Sequence, residues 1–354
     1  MKKIHIVLLG LYEHDAIGNF TRSIASYLDA SGACCAIYAE DHSPALSTAG
    51  KYDDFFACVQ PCDTLLYMFS NDDGNLHKLM SVPCRKIVYY HNITPGSFFR
   101  PYDAGIADML DNGRKKIPLI SAADAVFANS AWSLSELQPH IAPTAYANVM
   151  PPLTEKMFSR FESPQQDPPA AGGLPVPYLL TIGRIVPHKN IAWGIRQFME
   201  LRKLIPELTY AIVGSDGGVG TYAQEMRQLA GSMGGAGEAV RFVGEVPDGM
   251  APLWIRHAAA LLCASQHEGF GVPLVEAMLQ GVPVMAMDQP AVAETLGGAG
   301  LILEEKDLPA NAQKMAEILS DPEAVARMRS QQQQRCQAIK AASIHNPFWE
   351  MLLA

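Results

Sequence analysis

Two glutamates eight residues apart bracket the most chemically loaded segment of the chain, Ser265-Gln-His-Glu-Gly-Phe-Gly-Val-Pro-Leu-Val-Glu-Ala-Met278. Glu268 precedes a Gly-Phe-Gly turn, Glu276 follows it, and Pro273 stands where a helix would begin. Proline is favoured at the first helical position, because its missing N–H would be unpaired there anyway. The spacing therefore predicts Glu268 on a loop and Glu276 in the first helical turn. The backbone N–H groups from Gly271 through Val272 and Leu274 to Val275 would then point outward with the positive end of the helix dipole, an arrangement suited to phosphate. A phosphate cradle flanked by two hydroxyl-seeking carboxylates is what a sugar nucleotide requires. The bland alternative is a surface loop and helix with both glutamates solvated, since glutamates favour first turns for dipole reasons.

A second constellation is Thr181-Ile182-Gly183-Arg184-Ile185-Val186-Pro187-His188-Lys189-Asn190. Gly183 follows a predicted strand, and Arg184 and Lys189 lie on the loop after it, aimed into an interdomain cleft. Arginine grips a diphosphate as a planar bidentate partner and lysine as a point charge. Both would neutralise charge developing on a departing nucleoside diphosphate. No Asp-x-Asp triplet is present to hold a divalent metal against a diphosphate. No metal or other cofactor is expected; cationic side chains and a helix N-terminus take that role. Alone, this segment reads as a loop with two exposed cations.

The surrounding elements must place these groups. Apolar runs at Ile4–Leu9, Cys34–Ala39, Thr64–Phe69, Lys86–Tyr90 and Ala125–Ala128 read as strands, with helices at 19–29 and 131–138. Continuous apolar strands separated by helices indicate a parallel sheet covered on both faces. Residues 163–177 are rich in Pro and Gly without hydrophobic period, and read as a linker. The alternation then restarts with strands at 178–182, 209–213, 240–243, 260–264 and 282–287, and helices at 190–204, 220–232, 250–257, 273–280 and 291–296. The fold class is α/β, two tandem doubly wound domains facing across a cleft. Residues 1–165 form an acceptor-side domain, 166–177 the linker, 178–335 a nucleotide-sugar-binding domain, and 336–354 a helical tail crossing back to the first. Pro347 is expected to interrupt that tail.

Composition narrows the class. The 354 residues are 49% hydrophobic, with mean hydropathy +0.04, net charge −9 and a sequence pI near 5.6. An acidic balance argues against a broad nucleic-acid face. Arg114-Lys115-Lys116 reads first as a solvated helix face and second as a contact to an anionic membrane surface. Seven cysteines, with none in metal-type CxxC spacing, indicate a reduced cytosolic chain; Cys34, Cys35 and Cys263 fall in runs that read as buried strands. The short apolar run after Lys2-Lys3 reads as a first strand rather than a signal peptide, and no stretch reaches membrane-spanning length.

Gly183-Arg184 with Lys189, followed by His-Glu-Gly-Phe-Gly-Val-Pro-Leu-Val-Glu-Ala, resembles family 4 of the retaining glycosyltransferases, which have the GT-B fold of two Rossmann-like domains. The resemblance covers the second domain and is looser in the first. It implies that Arg184 and Lys189 grip the donor diphosphate, that Glu276 accepts from ribose hydroxyls, and that Glu268 holds the transferred sugar with backbone N–H groups near Phe270 and Gly271. Val243-Gly244-Glu245-Val246 resembles the family's nucleobase-binding backbone, and Val213-Gly214-Ser215 its glycine turn. In the first domain, Gly18 of Asp15-Ala16-Ile17-Gly18-Asn19 falls where relatives approach the donor phosphate, although many have two adjacent glycines there. His91 falls where relatives contact the transferred sugar near the reacting centre. A histidine at a strand end is otherwise more often structural. Phe98-Phe99-Arg100-Pro101-Tyr102 reads as a lip of the acceptor cleft or a hydrophobic loop anchor, and Ser130 as an N-cap.

The resulting expectation is transfer of a hexose, mannose or glucose, from a nucleoside diphosphate sugar to an acceptor hydroxyl with retention. The resemblance implies front-face departure through an oxocarbenium-like state, with the leaving diphosphate as base. Residues for a double displacement cannot be assigned. The acceptor would be a glycan or lipid-linked oligosaccharide of a bacterial cell surface, met in the cytoplasm at the inner membrane face. A GT-B epimerase and a catalytically idle sugar-nucleotide-binding subunit are the alternatives.

Overall fold

The computed structural model describes residues 2–13, 15–47, 49–162, 177–247 and 249–354. The apolar runs form parallel strands. The first sheet takes β1 (Lys3–Leu11), β2 (Cys34–His42), β3 (Thr64–Phe69), β4 (Arg85–Tyr90), β5 (Ala125–Ala128) and β6 (Tyr146–Val149), in the order β2-β1-β3-β4-β5-β6. The second takes β7 (Tyr178–Ile182), β8 (Thr209–Val213), β9 (Val240–Gly244), β10 (Ala260–Cys263), β11 (Val284–Met287) and β12 (Leu301–Leu303), in the order β12-β11-β10-β7-β8-β9. Paired strands in both sheets run parallel. Strands β3, β5 and β11 are buried along their whole length, as strands covered on both faces must be. Read from β9, the second sheet has the Rossmann order, and its switch point lies between β7 and β10. Ligands of such sheets bind beyond the carboxyl ends of the strands at that point.

By contacts the chain divides into two compact units. One comprises Met1–Ser97, Ala104–Met157 and Ile339–Ala354; the other Phe98–Asp103 and Phe158–Ala338. The expected linker lies, but for Pro177, outside the described residues.

The core of the first unit includes Ile6, Leu8, Phe20, Leu66, Tyr89 and Phe127, and it is completed from the far end of the sequence by Phe348, Trp349 and Leu352. The tail is interrupted at Pro347 as expected: one helix ends at Ile344 and Pro347 opens the next, Pro347–Leu353, which Asn346 caps by accepting from the Phe348 N–H at 3.1 Å. The Phe348 ring meets Phe127 edge-on at 5.0 Å between centroids. The position expected to divide domain from tail, 335/336, falls inside the helix Pro322–Ile344.

Two readings of surface and core need correction. Cys34 is exposed and Cys35 and Cys263 are half-buried; the buried thiols are Cys84 and Cys336. Cys34 and Cys35 begin β2, an edge strand, where an apolar run is covered from fewer sides. The basic cluster is not a free solvated face either. Arg114 pairs with Glu136 at 3.0 Å, Lys116 with Asp72 at 2.5 Å, and Lys115 bonds Asn112 at 3.1 Å.

Candidate functional site

The second unit gathers most of the expected residues at the carboxyl ends of its strands. Gly183 follows β7 and donates its N–H to the Val213 carbonyl at 2.9 Å; Ile185 donates to Ser215 at 2.8 Å. The chain is thus held to the end of β8 on both sides of Arg184. Gly214 stands at φ 149°, and a Cβ there would lie 2.0 Å from the Gly183 carbonyl oxygen. The Gly214 N–H in turn donates to the Gly244 carbonyl at 2.8 Å. Gly183, Gly214 and Gly244 therefore form one line of close backbone approaches across β7, β8 and β9, with half-buried Val246 just beyond.

After Arg184 the chain makes a tight turn at Pro187–Lys189 and enters the helix Ile191–Arg202. The His188 carbonyl accepts from the Gln266 N–H at 2.8 Å, which stitches this loop to the one after β10. Lys189 Nζ then reaches Glu268 Oε1 at 2.6 Å. Both belong to a pocket lined also by Thr181, Ile182, Cys263, Ser265, Gly271 and Pro273, at the β7/β10 switch point. Arg184 is exposed, with no hydrogen bond or ion pair to its guanidinium among the described residues.

The glutamate-bearing helix runs from Val272 to Leu279, with Gly271 as N-cap at φ 88° and no side-chain cap. Three details of the expected cradle change. Pro273 is the second helical residue, and Glu276 lies in the second turn rather than the first. The run of outward amides also shortens: Pro273 has no N–H, and Leu274 donates to the Gly271 carbonyl at 2.9 Å. That leaves the amides of Gly271 and Val272 without a backbone acceptor among the described residues, unsatisfied donors of the kind that bind anions. The Phe270 side chain is buried, and its carbonyl accepts from Thr295 Oγ1 at 2.5 Å.

Glu276 keeps some surface exposure, but its carboxyl is desolvated. Burial raises its pKa to about 7, opposed by the positive charge of Arg160. Arg160, on the helix Glu155–Glu162, carried no signal in the sequence, since nothing in its spacing ties it to Glu276. His188 is another group the sequence did not single out. It is buried, its pKa is pushed well down by burial and then by Lys189, Arg184 and His267, and its Nδ1 has no partner among the described residues. The Phe98–Asp103 segment groups with this unit: the Phe98 and Phe99 rings lie 6.4 and 5.7 Å from the His188 ring.

Two expected residues sit in the first unit. Gly18 is not in a turn but in the first turn of the helix Ala16–Ala30, where a Cβ would come 2.4 Å from the Tyr12 carbonyl oxygen. His91 follows β4. Its ring packs on Tyr89 and Phe20, and burial lowers its pKa to about 3, so the imidazole is neutral. Ser130 is an N-cap, accepting from the Ser133 N–H at 3.0 Å.

Residues 170–335 match the family described as glycosyl transferases group 1. The matched stretch is a little under half of the chain and falls within the second unit. The chain is 33% identical over 144 residues to O-antigen chain mannosyltransferase B of Escherichia coli, covering 41% of this chain and 37% of that one. It is 30% identical over 224 residues to the GDP-mannose-dependent alpha-(1-6)-phosphatidylinositol monomannoside mannosyltransferase of Mycolicibacterium smegmatis, covering 58% and 56%. The aligned stretch thus spans about half or less of these relatives' own length. The fold is that of Anabaena HepE, whose structure is in complex with UDP and glucose: TM-score 0.71, 17% identity, 100% of both chains. Two Rossmann-like units of this kind are the GT-B fold.

Proposed function

We propose that this protein is a retaining, metal-independent glycosyltransferase that moves a hexose, mannose before glucose, from a nucleoside diphosphate sugar to an acceptor hydroxyl. One observation carries the reading: at the switch point of a Rossmann sheet, Lys189 and Glu268 meet at 2.6 Å beside an uncapped helix N-terminus. A cation, a carboxylate and outward amides converge where such sheets bind nucleotides. Arg184, Lys189 and the amides of Gly271 and Val272 hold the diphosphate. Glu276 receives the ribose, Glu268 the sugar, and Gly244 and Val246 border the base.

In the reaction the bond from the anomeric carbon to the diphosphate oxygen breaks, and the acceptor oxygen bonds that carbon on the same face. The acceptor proton passes to the departing phosphate. The cations stabilise charge that grows as the diphosphate leaves, so their effect falls on the transition state more than on the bound donor. Neutral His91 offers a ring nitrogen to a sugar hydroxyl.

The mannosyltransferase names of the two relatives support mannose and a bacterial cell-surface polysaccharide or lipopolysaccharide as the product class. A glycan or lipid-linked acceptor would be met at the cytoplasmic membrane face. No described helix is long and apolar enough to cross a membrane.

The test is a donor panel of GDP-mannose, UDP-glucose and UDP-N-acetylglucosamine, in EDTA, with nucleotide release and product stereochemistry followed by NMR. Release of GDP or UDP with retained configuration is expected. Donor binding without release would indicate an idle binding subunit, and an inverted product would exclude the front-face mechanism.

A further inference from the structure

The turn after β4 is tied down at nearly every polar atom. The His91 N–H donates to the Phe69 carbonyl at 2.9 Å, and the His91 carbonyl accepts from Asn129 Nδ2 at 2.8 Å. Asn92 follows at φ 70°, a left-handed conformation that costs a residue with a Cβ about 1–2 kcal/mol and that Asn tolerates best. Its side chain is not idle. Asn92 Nδ2 donates to Ser133 Oγ at 3.0 Å and to Glu136 Oε2 at 3.3 Å.

Glu136 is the hub. Its side chain is 16% exposed, and it also accepts from Tyr90 Oη at 3.1 Å and pairs with Arg114 Nη2 at 3.0 Å. The partners then return to the same turn: Tyr90 Oη accepts from the Ile93 N–H at 3.0 Å, and Arg114 Nη1 donates to the Ile93 carbonyl at 2.7 Å. One carboxylate thus fixes Tyr90, Asn92 and, through Arg114, Ile93, the residues on both sides of His91. Ser130 and Ser133, at the start of the helix Ala131–Leu137, set the distance from β5 to this hub.

The imidazole held by this frame is not fully paired. Its Nε2 is buried and has no hydrogen-bond partner among the described residues. A buried polar group left unpaired costs about 1–3 kcal/mol, which a bound hydroxyl would offset.

The geometry points to Asn92 and Glu136 as positioning residues that hold the His91 ring in place through the left-handed turn. The inference rests on the role of His91 in transfer proposed above. Asn92 acts through its backbone conformation and Glu136 through three anchored neighbours. Neither is assigned contact with the donor.

The test uses the full chain with N92A, N92G and E136Q, each alone and combined with H91A. The readouts are kcat, donor KM, melting temperature, and the 15N signal of the His91 ring, assigned by its loss in H91A. N92A and E136Q are expected to lower kcat by about tenfold or more, as small misplacements do, with donor KM little changed and the His91 signal shifted. N92G, which takes positive φ freely, restores most of the loss. In the H91A background the same substitutions change little, because their effect runs through the missing ring. Equal losses with and without His91, or an unmoved His91 signal in N92A and E136Q, would overturn the inference. Normal turnover of H91A would instead remove His91 from the mechanism, while the ring signal still decides whether Asn92 and Glu136 position it. Should N92A fail to fold, E136Q alone and with H91A carries the same comparison, with N92G as the near-normal control.

Discussion

Lys189 and Glu268 form a direct ion pair, 2.6 Å from Nζ to Oε1, between the loops that leave β7 and β10. The two side chains are 21% and 12% exposed, so the pair is screened far less than a surface bridge. Each residue holds the other where the sheet's switch point opens. Lys189 is thereby kept from wandering, and Glu268 is held beside the place proposed for the sugar.

Removing the lysine should therefore do two things. K189A is expected to lower transfer by about 10²- to 10³-fold through lost charge stabilisation. It should also destabilise the unit by about 1–3 kcal/mol, because Glu268 is left without its partner. Steady-state kinetics and thermal melts on one preparation separate the two effects. R184A makes the contrast. Arg184 is exposed and anchors nothing, so a comparable kinetic loss should come with a stability change within about 0.5 kcal/mol. A normal rate in both variants would remove the diphosphate assignment.

Glu276 predicts a pH dependence. Its carboxyl is raised by burial to about 7, against an ordinary value of 4.5, with Arg160 pulling the other way. The folded state holds the proton more tightly than the unfolded one. Stability from this group is thus complete at pH below about 4.5 and is lost as pH rises through about 7. Ribose binding runs oppositely, because the ionised carboxylate is the better acceptor. Donor affinity should fall up to about tenfold from pH 8 to pH 6, the change in the ionised fraction around a pKa of about 7. Calorimetric titration of wild type and E276Q checks this; an equally steep profile in E276Q would remove Glu276 as its source.

Gly214 is expected to tolerate no side chain. At φ 149°, with the Gly183 carbonyl 2.0 Å from any Cβ, G214A must move the backbone next to Arg184. A loss of about 1–3 kcal/mol is expected, together with weaker donor binding. Denaturant unfolding measures the first and titration with UDP and GDP the second. Unchanged values for both would show that this loop yields more easily than its geometry implies.

Much of this site was legible because its signals are local. Gly183, Arg184 and Lys189 lie within one loop, Glu268 and Glu276 within another, and the apolar runs around them betray parallel strands. What stayed hidden depends on contacts distant in sequence. Arg160 reaches Glu276 from a helix more than a hundred residues earlier, and no period announces it. Glu136 looks like any helix-surface glutamate until Tyr90, Asn92 and Arg114 close around it. β6 was missed for another reason: it is a four-residue edge strand, half exposed, and lacks the continuous apolar run that marks its buried neighbours. The placement of Pro273 turned on a single residue, because Gly271 can take the left-handed cap and so lets Val272 begin the helix.

The packing of Phe348, Trp349 and Leu352 into the first unit's core sets an order of assembly. On the ribosome, the strands β1 to β6 emerge with one wall of their core still unmade, and the whole second unit is translated before that wall arrives. Until it does, Tyr89 and Phe127 lack the Phe348 ring that packs on both of them in the finished unit. Final consolidation of the fold is thus coupled to the completion of residues 347–353. Truncation before Pro347 should leave a second unit that is native and a first unit that chaperones and proteases recognise as unfinished. Limited proteolysis of such a truncation would show cuts gathering in the first sheet's half of the chain.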